Sequence, residues 1–245
     1  PPRSTLFPYT TLFRSALSFN GQRCTALKIL FVHKDIVVEF LKKLNQRIAS
    51  LAPGMPWDDG VGLTPLPEPD KTEHMKRYIE DAKEQGAMVV NEKGGAINRT
   101  FMFPAVLYPV NNRMRIYHEE QFGPVIPVVP YDRIEEPLDY VVNSNYGQQV
   151  AVFGNDPDAI ARLVDHLVNQ VCRVNINSQC QRGPDSFPFT GRKDSAEGTL
   201  SVSDALRVFT IRPLLAAKEP AQNKRIIPEL YGGKKPNFLS TDLFF

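Results

Sequence analysis

The sequence contains few cysteines: Cys24, Cys172 and Cys180 in 245 residues. A small, odd number argues against a disulfide framework and is typical of a protein from a reducing compartment, so we expect a cytoplasmic location. Cys172 and Cys180 lack the paired spacing with histidine that a zinc site requires. The four histidines belong to no recognisable constellation either. The sequence therefore predicts no metal site.

Three further features are missing. No apolar run reaches the roughly 20 residues that a membrane-spanning helix needs. The net charge is +2, from 29 basic and 27 acidic residues, which is too balanced to indicate a nucleic-acid or anionic-membrane partner. No Gly-x-Gly-x-x-Gly fingerprint or phosphate-binding loop is present. If a nucleotide is used, we expect its main binding domain to lie outside this sequence.

The first fifteen residues, PPRSTLFPYTTLFRS, differ in composition from the rest. They include no acidic residue and carry two Thr-Leu-Phe units, Thr5–Phe7 and Thr11–Phe13. A targeting peptide is one interpretation, although the apolar residues are too scattered for a secretory signal. We prefer the interpretation that residues 1–15 are foreign, because they resemble a translated sequencing adapter. On that interpretation the natural protein continues upstream of Ala16.

Strand and helix patterns alternate along the remaining chain. Apolar, β-branched runs predict strands at 26–33, 88–96, 101–108, 123–131, 148–154, 171–177 and 208–216. Helical spacing and capping residues predict helices at 35–51, 70–87, 133–145, 156–170 and 202–208. This alternation predicts an α/β fold, a mostly parallel sheet covered by helices. Prolines in 101–108 and 123–131 suggest edge strands or bends, and residues 218–245 are predicted to be an irregular extension.

Three segments contain residues that could carry chemistry. In GQRCT, Arg23 precedes Cys24, and a nearby cation can activate a thiol as a nucleophile. In EEQFGPV, a carboxylate and an aromatic ring could bind a ribose and a flat heterocycle. In the long loop after residue 177, Arg182 could bind an anion. In isolation each has an ordinary explanation as well: a buried thiol, a solvated acidic turn and a surface arginine.

Taken in order, four motifs resemble the C-terminal catalytic part of the aldehyde dehydrogenase superfamily: GQRC at 21–24, EEQFGPV at 119–125, NSNYG at 143–147 and PFTGRKDS at 188–195. Residues 16–217 are therefore identified as a catalytic domain of this type, followed by the 218–245 extension. Arg23 and the QRGPD segment at 181–185 are similar to the NADP-dependent, non-phosphorylating glyceraldehyde-3-phosphate dehydrogenases. Gln148 and Ala196 depart from the usual leucine and glycine.

The resemblance implies a role for each candidate residue. Cys24 would attack the aldehyde and form a thioester that water hydrolyses, with NADP, or NAD, accepting the hydride. The implied ligand-binding residues are Glu120 and Phe122 for the cofactor, and Arg23, Thr25 and Arg182 for a phosphorylated small-molecule aldehyde. The implied product of glyceraldehyde 3-phosphate is 3-phosphoglycerate.

The family's general-base glutamate, its oxyanion-binding asparagine and its dinucleotide-binding domain all precede the cysteine, so the resemblance implies that this chain alone is inactive. The full-length parent is expected to form a homodimer or homotetramer. Two alternatives stay open. The parent could oxidise another aldehyde, such as a semialdehyde. Alternatively, the chain could be a non-catalytic assembly module that pairs through the apolar segment 207–216.

Overall fold

The computed structural model describes residues 15–184, 187–200, 202–211, 216–218 and 220–232. The chain divides into two compact units, Pro1–Ala205 and Leu206–Phe245. The strands are β1 (Leu30–His33), β2 (Met88–Val89), β3 (Ile97–Asn98), β4 (Phe101–Met102), β5 (Ala105–Tyr108), β6 (Val125–Tyr131), β7 (Tyr146–Gly147), β8 (Gln149–Val152), β9 (Arg173–Ile176) and β10 (Arg192–Lys193). The helices are α1 (Val37–Ala49), α2 (Lys71–Glu84), α3 (Arg115–His118), α4 (Glu135–Asn143), α5 (Pro157–Leu167), α6 (Val202–Val208) and α7 (Ala221–Gly232).

The first unit is built on a four-stranded sheet with the order β1-β6-β5-β2. The β1–β6 and β5–β6 ladders are parallel, and the β2–β5 ladder is antiparallel. A second parallel ladder joins β8 to β9, and short antiparallel ladders join β3 to β4 and β7 to β10. The predicted α/β fold with a mostly parallel sheet is confirmed.

Alternating side chains of the four-stranded sheet enter two separate cores. Leu30, Val32, Val106, Ile126 and Val128 pack with the buried face of α1. The opposite face of the sheet packs with α2 and α3, through side chains that include Ala105, Leu107, Val125, Met75, Ile79 and Ile116. Because residues buried on both faces must be apolar at almost every position, β1, β5 and β6 read as continuous hydrophobic runs.

The position predicted for the proline-bearing strand 123–131 is wrong, because β6 lies between β1 and β5 in the sheet. Pro127 pairs with Leu107 at the end of the β5 ladder, and the β1 ladder begins one residue later, at Val128. The two neighbours therefore pair mainly with different halves of β6. Pro127 has no backbone N–H to donate. It lies at the point where β6 stops pairing with β5 and starts pairing with β1, which explains why a proline is tolerated there.

The predicted helix caps agree with the structure. The Asp156 carboxylate accepts hydrogen bonds from the backbone N–H groups of Asp158 (3.0 Å) and Ala159 (3.2 Å), so Asp156 caps α5. Gly86 follows the end of α2 with a φ of +100°, a backbone conformation that ends helices and favours glycine. Met75 and Ala82 lie on the buried face of α2 as expected.

The C-terminal predictions need correction. Residues 208–211 are not a strand: Val208 ends α6, and the N–H groups of Phe209 and Thr210 bond back to the Leu206 and Arg207 carbonyls. An apolar, β-branched segment becomes a strand only beside a partner strand, and the described residues supply none there. The 218–245 extension was predicted to be irregular, yet it contains α7. The Pro220 carbonyl accepts from the N–H groups of Asn223 and Lys224 at the start of this helix.

Some predictions fall on residues that the structure does not describe. These are the segment predicted to be foreign, up to residue 14, the remainder of the predicted last strand at 212–215, and the end of the extension from residue 233. Among the described helices, none combines the length and the apolar character needed to cross a bilayer.

Candidate active site

The cysteine loop, residues 18–25, begins with a left-handed turn. Phe19, Asn20 and Gly21 have φ values of +53°, +55° and +76°, a region that only glycine occupies without strain. The buried Asn20 amide compensates, because its Nδ2 donates to the backbone oxygen and to Oγ1 of Thr64, both at 2.9 Å. The turn is thus anchored to the distant 52–70 loop, and it leaves Cys24 exposed just before β1.

Two glycines bring the cysteine loop against the acidic loop, residues 119–124. A Cβ on Gly21 would lie 2.3 Å from the carbonyl oxygen of Gly123, and a Cβ on Gly123 would lie 2.2 Å from the sulfur of Met75. Both distances are far shorter than van der Waals contact. The two loops therefore touch through their backbones, and Met75 of α2 supports the contact from behind.

The two adjacent glutamates of the acidic loop have different environments. Tyr78 donates its hydroxyl to Glu119 at 3.0 Å, and Arg115 donates to both carboxylate oxygens at 2.8 and 2.9 Å. The hydrogen bond with Arg115 is the main reason that the pKa of Glu119 lies below its usual value. For Glu120, burial raises the pKa, and the positive charge of Lys28 acts in the opposite direction. Glu119 thus fixes the loop, whereas Glu120 is an exposed carboxylate on the wall of a cleft.

This cleft has a volume of about 920 Å³ and brings four predicted site residues together: Cys24, Thr25, Glu120 and Phe122. All residues of β1 and β8 also line it. β1 is the last strand of the four-stranded sheet, and β8 belongs to the separate β8–β9 ladder. The cleft thus lies between the edge strand β1 of the four-stranded sheet and the β8–β9 ladder, and concave surfaces of this kind are common places for ligands.

The two arginines predicted to hold a phosphate do not line this cleft. Arg23 Nη1 donates to Ser18 Oγ at 3.1 Å, and its guanidinium lies 5.3 Å from the centre of the Phe19 ring. The Arg182 guanidinium lies 5.6 Å from the centre of the Phe189 ring. The structure does not bring these two side chains together, so their phosphate-binding role stays a prediction.

Comparison with known proteins identifies the family of this chain. A sequence model described as the aldehyde dehydrogenase family matches residues 9–212. The chain belongs to the aldehyde dehydrogenase family. The family predicted from the four sequence motifs is therefore confirmed.

Individual relatives share about a third of the residues. The NADP-dependent glyceraldehyde-3-phosphate dehydrogenase of Pisum sativum is 34% identical over 199 residues, 81% of this chain and 39% of the relative. The 3-sulfolactaldehyde dehydrogenase of Priestia aryabhattai is 30% identical over 198 residues, 80% of this chain and 41% of the relative. A similar solved structure is the crystal structure of NADP-dependent glyceraldehyde-3-phosphate dehydrogenase from Bacillus halodurans C-125, complexed with NADP. It matches with a TM-score of 0.76 and 31% identity, and the match covers 80% of this chain and 40% of that chain.

The chain therefore spans about 40% of the length of these aldehyde dehydrogenases. Two of the family motifs in the chain are structural partners of one another. NSNYG and PFTGRKDS pair through β7 and β10, with Gly147 opposite Arg192 and Tyr146 opposite Lys193. The Gly147 N–H donates to Ser195 Oγ at 2.8 Å, which accounts for the serine of the second motif. These two motifs hold the wall of the cleft in place, since Tyr146 and Ser195 both line it.

Sequence reasoning missed Lys28, which faces the same cleft. Its ammonium lies 3.8 Å from the centre of the Phe122 ring and donates to the Gly21 carbonyl at 3.0 Å. Burial lowers the pKa of Lys28 to about 8. The available signal was a single lysine inside the apolar run ALKILFVH, four residues after Cys24. Such a lysine is unusual in an apolar run that is predicted to be a buried strand.

The other cysteines differ from Cys24. Cys180 is buried, and burial raises its pKa to about 12. Its sulfur accepts a weak hydrogen bond from Asn175 Nδ2 at 3.6 Å. Cys172 is partly buried, whereas Cys24 is exposed. Within the described part of the chain, no group of three or more histidine, cysteine, aspartate or glutamate side chains could hold a metal ion.

Proposed function

We propose that this chain is the catalytic-domain part of an NADP-dependent aldehyde dehydrogenase that oxidises glyceraldehyde 3-phosphate to 3-phosphoglycerate. The observation that carries the proposal is the shared cleft, where an exposed Cys24 lies on the same surface as Glu120 and Phe122. A thiol thus shares one cleft with a carboxylate and a ring suited to a ribose and a flat heterocycle. The similarity to NADP-dependent glyceraldehyde-3-phosphate dehydrogenases supports the choice of cofactor and substrate.

In the proposed reaction, the Cys24 thiolate attacks the carbonyl carbon of the aldehyde and forms a thiohemiacetal. Bound NADP supplies the hydride acceptor for oxidation to the thioester, and water then releases the acid and regenerates the thiol. Glu120 would accept hydrogen bonds from the ribose hydroxyls of bound NADP, and Phe122 would lie beside that sugar. Thr25, buried beside Cys24, shapes the substrate side of the cleft. Backbone N–H groups of the cysteine loop hold the oxyanion, a role worth roughly 3 kcal/mol for each donor.

The substrate phosphate is assigned to Arg23 and Arg182. Each guanidinium now stacks beside an aromatic ring, and such a planar cation can exchange that contact for bidentate binding of phosphate. A second candidate substrate is another anionic aldehyde. The 3-sulfolactaldehyde dehydrogenase among the relatives favours it, because a sulfonate and a phosphate make similar demands on a binding site.

The test uses the full-length protein that carries this segment, with purified enzyme, NADP and an aldehyde. We expect Cys24→Ser to abolish NADP reduction while circular dichroism stays unchanged. Arg182→Leu should raise KM for glyceraldehyde 3-phosphate at least about tenfold, the effect of losing one bidentate charge contact. KM for unphosphorylated glyceraldehyde should stay unchanged.

A matched control is Arg162→Leu, which removes an exposed arginine on α5 and should leave both KM values unchanged. Turnover retained by Cys24→Ser would refute the nucleophile. Equal KM changes for the two substrates would refute the phosphate role of Arg182. Comparing glyceraldehyde 3-phosphate with 3-sulfolactaldehyde and a semialdehyde would decide between the candidate substrates.

Assembly of identical subunits in the cytoplasm is also part of the proposal. Val208, Phe209 and Ile211 are 77%, 87% and 95% exposed, an unusual density of apolar surface for neighbouring residues. Burial against a second copy of the chain would remove this surface from water. Light scattering of the full-length protein should give a dimer or tetramer, and a monomer would refute the assembly.

A further inference from the structure

Lys28 makes three contacts that join the two loops of the site. Its ammonium donates to the Gly21 carbonyl of the cysteine loop at 3.0 Å and lies 3.8 Å from the centre of the Phe122 ring of the acidic loop. Its backbone carbonyl accepts from Nε2 of the buried Gln121 at 3.1 Å. Since one ammonium has three donors, the bond to Gly21 leaves two that can serve the cleft.

The charges around Lys28 come from three elements. Glu120 of the acidic loop and Cys24 of the cysteine loop favour the protonated ammonium, and Lys71 at the start of α2 disfavours it. Glu119 is already paired with Arg115. Arg23 and Arg182 lie outside the cleft lining. Among the described residues that line the cleft, Lys28 is therefore the lysine or arginine whose positive charge acts on Cys24, and it offsets the negative charge of Glu120.

We propose that Lys28 is a specificity-determining residue, which favours electrophiles that carry a negative charge at Cys24. The inference rests on the proposed function only in taking Cys24 as the nucleophile. It extends that function by giving the cleft itself a preference for anionic aldehydes, separate from the two arginines predicted to bind the phosphate.

Two alkylating reagents of similar size test the inference on the 245-residue chain. Iodoacetate is anionic and iodoacetamide is neutral. With either, the Cys24 sulfur forms a bond to the CH₂ carbon, the C–I bond breaks, and iodide leaves with the electron pair. The ratio of the two rates at Cys24, followed by peptide mass spectrometry, cancels differences in thiol ionisation and accessibility and isolates the effect of reagent charge.

At pH 7 we expect Lys28→Met to lower the iodoacetate-to-iodoacetamide ratio about fivefold, the effect of removing one nearby charge. Methionine keeps a similar volume and removes the charge. Lys28→Arg should restore the ratio, and Glu120→Gln should raise it. Lys76→Met is the matched control, because Lys76 pairs with Glu73 and Glu80 on an exposed face of α2, and it should leave the ratio unchanged.

The pH dependence provides a readout that a purely structural role would not move. The pKa of Lys28 is lowered to about 8, so the ammonium is protonated at pH 7 and largely neutral at pH 9. The ratio in the unaltered chain should therefore fall as pH rises through about 8. It should stay constant over this range in Lys28→Arg and in Lys28→Met.

A ratio that is the same in the unaltered chain and in Lys28→Met would overturn the inference. So would a fall in Lys28→Met that Lys28→Arg does not restore, because that pattern indicates packing rather than charge. Lys28→Gln, a second neutral variant, keeps the test decisive if Lys28→Met does not fold. Failure of the proposed function is distinguishable, since it would appear as retained turnover in the full-length Cys24→Ser enzyme, whatever the alkylation ratio.

Discussion

Gly21 is the residue on which the geometry of the cysteine loop depends most directly. Its φ is +76°, and the carbonyl oxygen of Gly123 occupies the place where a Cβ would stand. Gly60 has nearly the same backbone conformation, with a φ of +74°, but nothing lies within 4 Å of the position of its Cβ. Alanine substitutions at these two glycines therefore separate two losses in the free energy of unfolding: the loss due to backbone strain and the loss due to the contact between the loops.

Gly21→Ala should lower the free energy of unfolding by about 2–4 kcal/mol, since about 1 kcal/mol of left-handed strain adds to about 1–3 kcal/mol of overpacking. Gly60→Ala should cost only the strain, about 1 kcal/mol. Urea unfolding followed by circular dichroism measures both. Equal losses in the two variants would mean that the close contact between Gly21 and Gly123 contributes nothing to stability.

Residue types alone do not distinguish Glu119 from Glu120. The resemblance assigned the cofactor role to Glu120, which stays a prediction; in the structure, Tyr78 and Arg115 already satisfy Glu119. Those partners lie 41 and 4 positions away in the chain. A pairing over 41 positions depends on how α2 packs, so the sequence offers no local pattern that reveals it.

At the scale of the elements, α4 depends on a lysine from a distant motif. Lys193 Nζ donates to the carbonyl oxygens of Val141 (2.6 Å), Val142 (3.0 Å) and Ser144 (2.8 Å). The carbonyl groups at a helix C-terminus lack partners within the helix and carry partial negative charge. Lys193 therefore caps α4 and holds β10 beside β7.

Lys193→Met should destabilise the fold by about 1–2 kcal/mol, because methionine keeps the stem but donates no hydrogen bond and carries no charge. Lys83→Met is a matched control, since Lys83 is an exposed lysine in the last turn of α2; its loss should cost less than about 0.5 kcal/mol. Thermal or urea unfolding of both variants checks the difference. A loss no larger than that of Lys83→Met would contradict the capping role.

Elements with strong local signals were predictable, and elements that depend on partners were not. The helical spacing of Val37, Leu41, Leu44 and Ile48 predicted α1. The capping residue Asp156 predicted the start of α5. The central place of β6 was missed because a proline is excluded only where its N–H would be needed, and the neighbours of a strand decide that. Segment 208–211 was missed because its apolar composition reflects a surface rather than a strand.

At the scale of the whole molecule, the candidate site depends on contacts between distant segments. Cys24 and Glu120 are 96 positions apart, yet both line one cleft because β1 pairs with β6 directly after the acidic loop. The four motifs predicted the family and four of the cleft residues. Their mutual arrangement follows from the order of the strands, which local patterns do not encode.

The last prediction concerns the 245-residue chain by itself. It spans about 40% of the length of its relatives, and it shows no glycine-rich dinucleotide fingerprint. We therefore expect no NADP reduction above background with glyceraldehyde 3-phosphate, although the thiol chemistry of Cys24 should persist. Iodoacetamide at pH 8 should modify Cys24 far faster than Cys180, since burial raises the pKa of Cys180 to about 12 and leaves about one thiol in ten thousand ionised.

Peptide mass spectrometry gives both rates in a single sample, so Cys180 is an internal control, and urea should abolish the difference by exposing it. NADP reduction by the purified chain would contradict this prediction, because it would show that hydride transfer takes place within these 245 residues. Equal alkylation rates of Cys24 and Cys180 in the folded chain would contradict the assignment of Cys24 as the exposed, reactive thiol. Fast alkylation of Cys24 without NADP reduction is the outcome expected if the nucleophile and the main nucleotide-binding surface belong to separate parts of the enzyme.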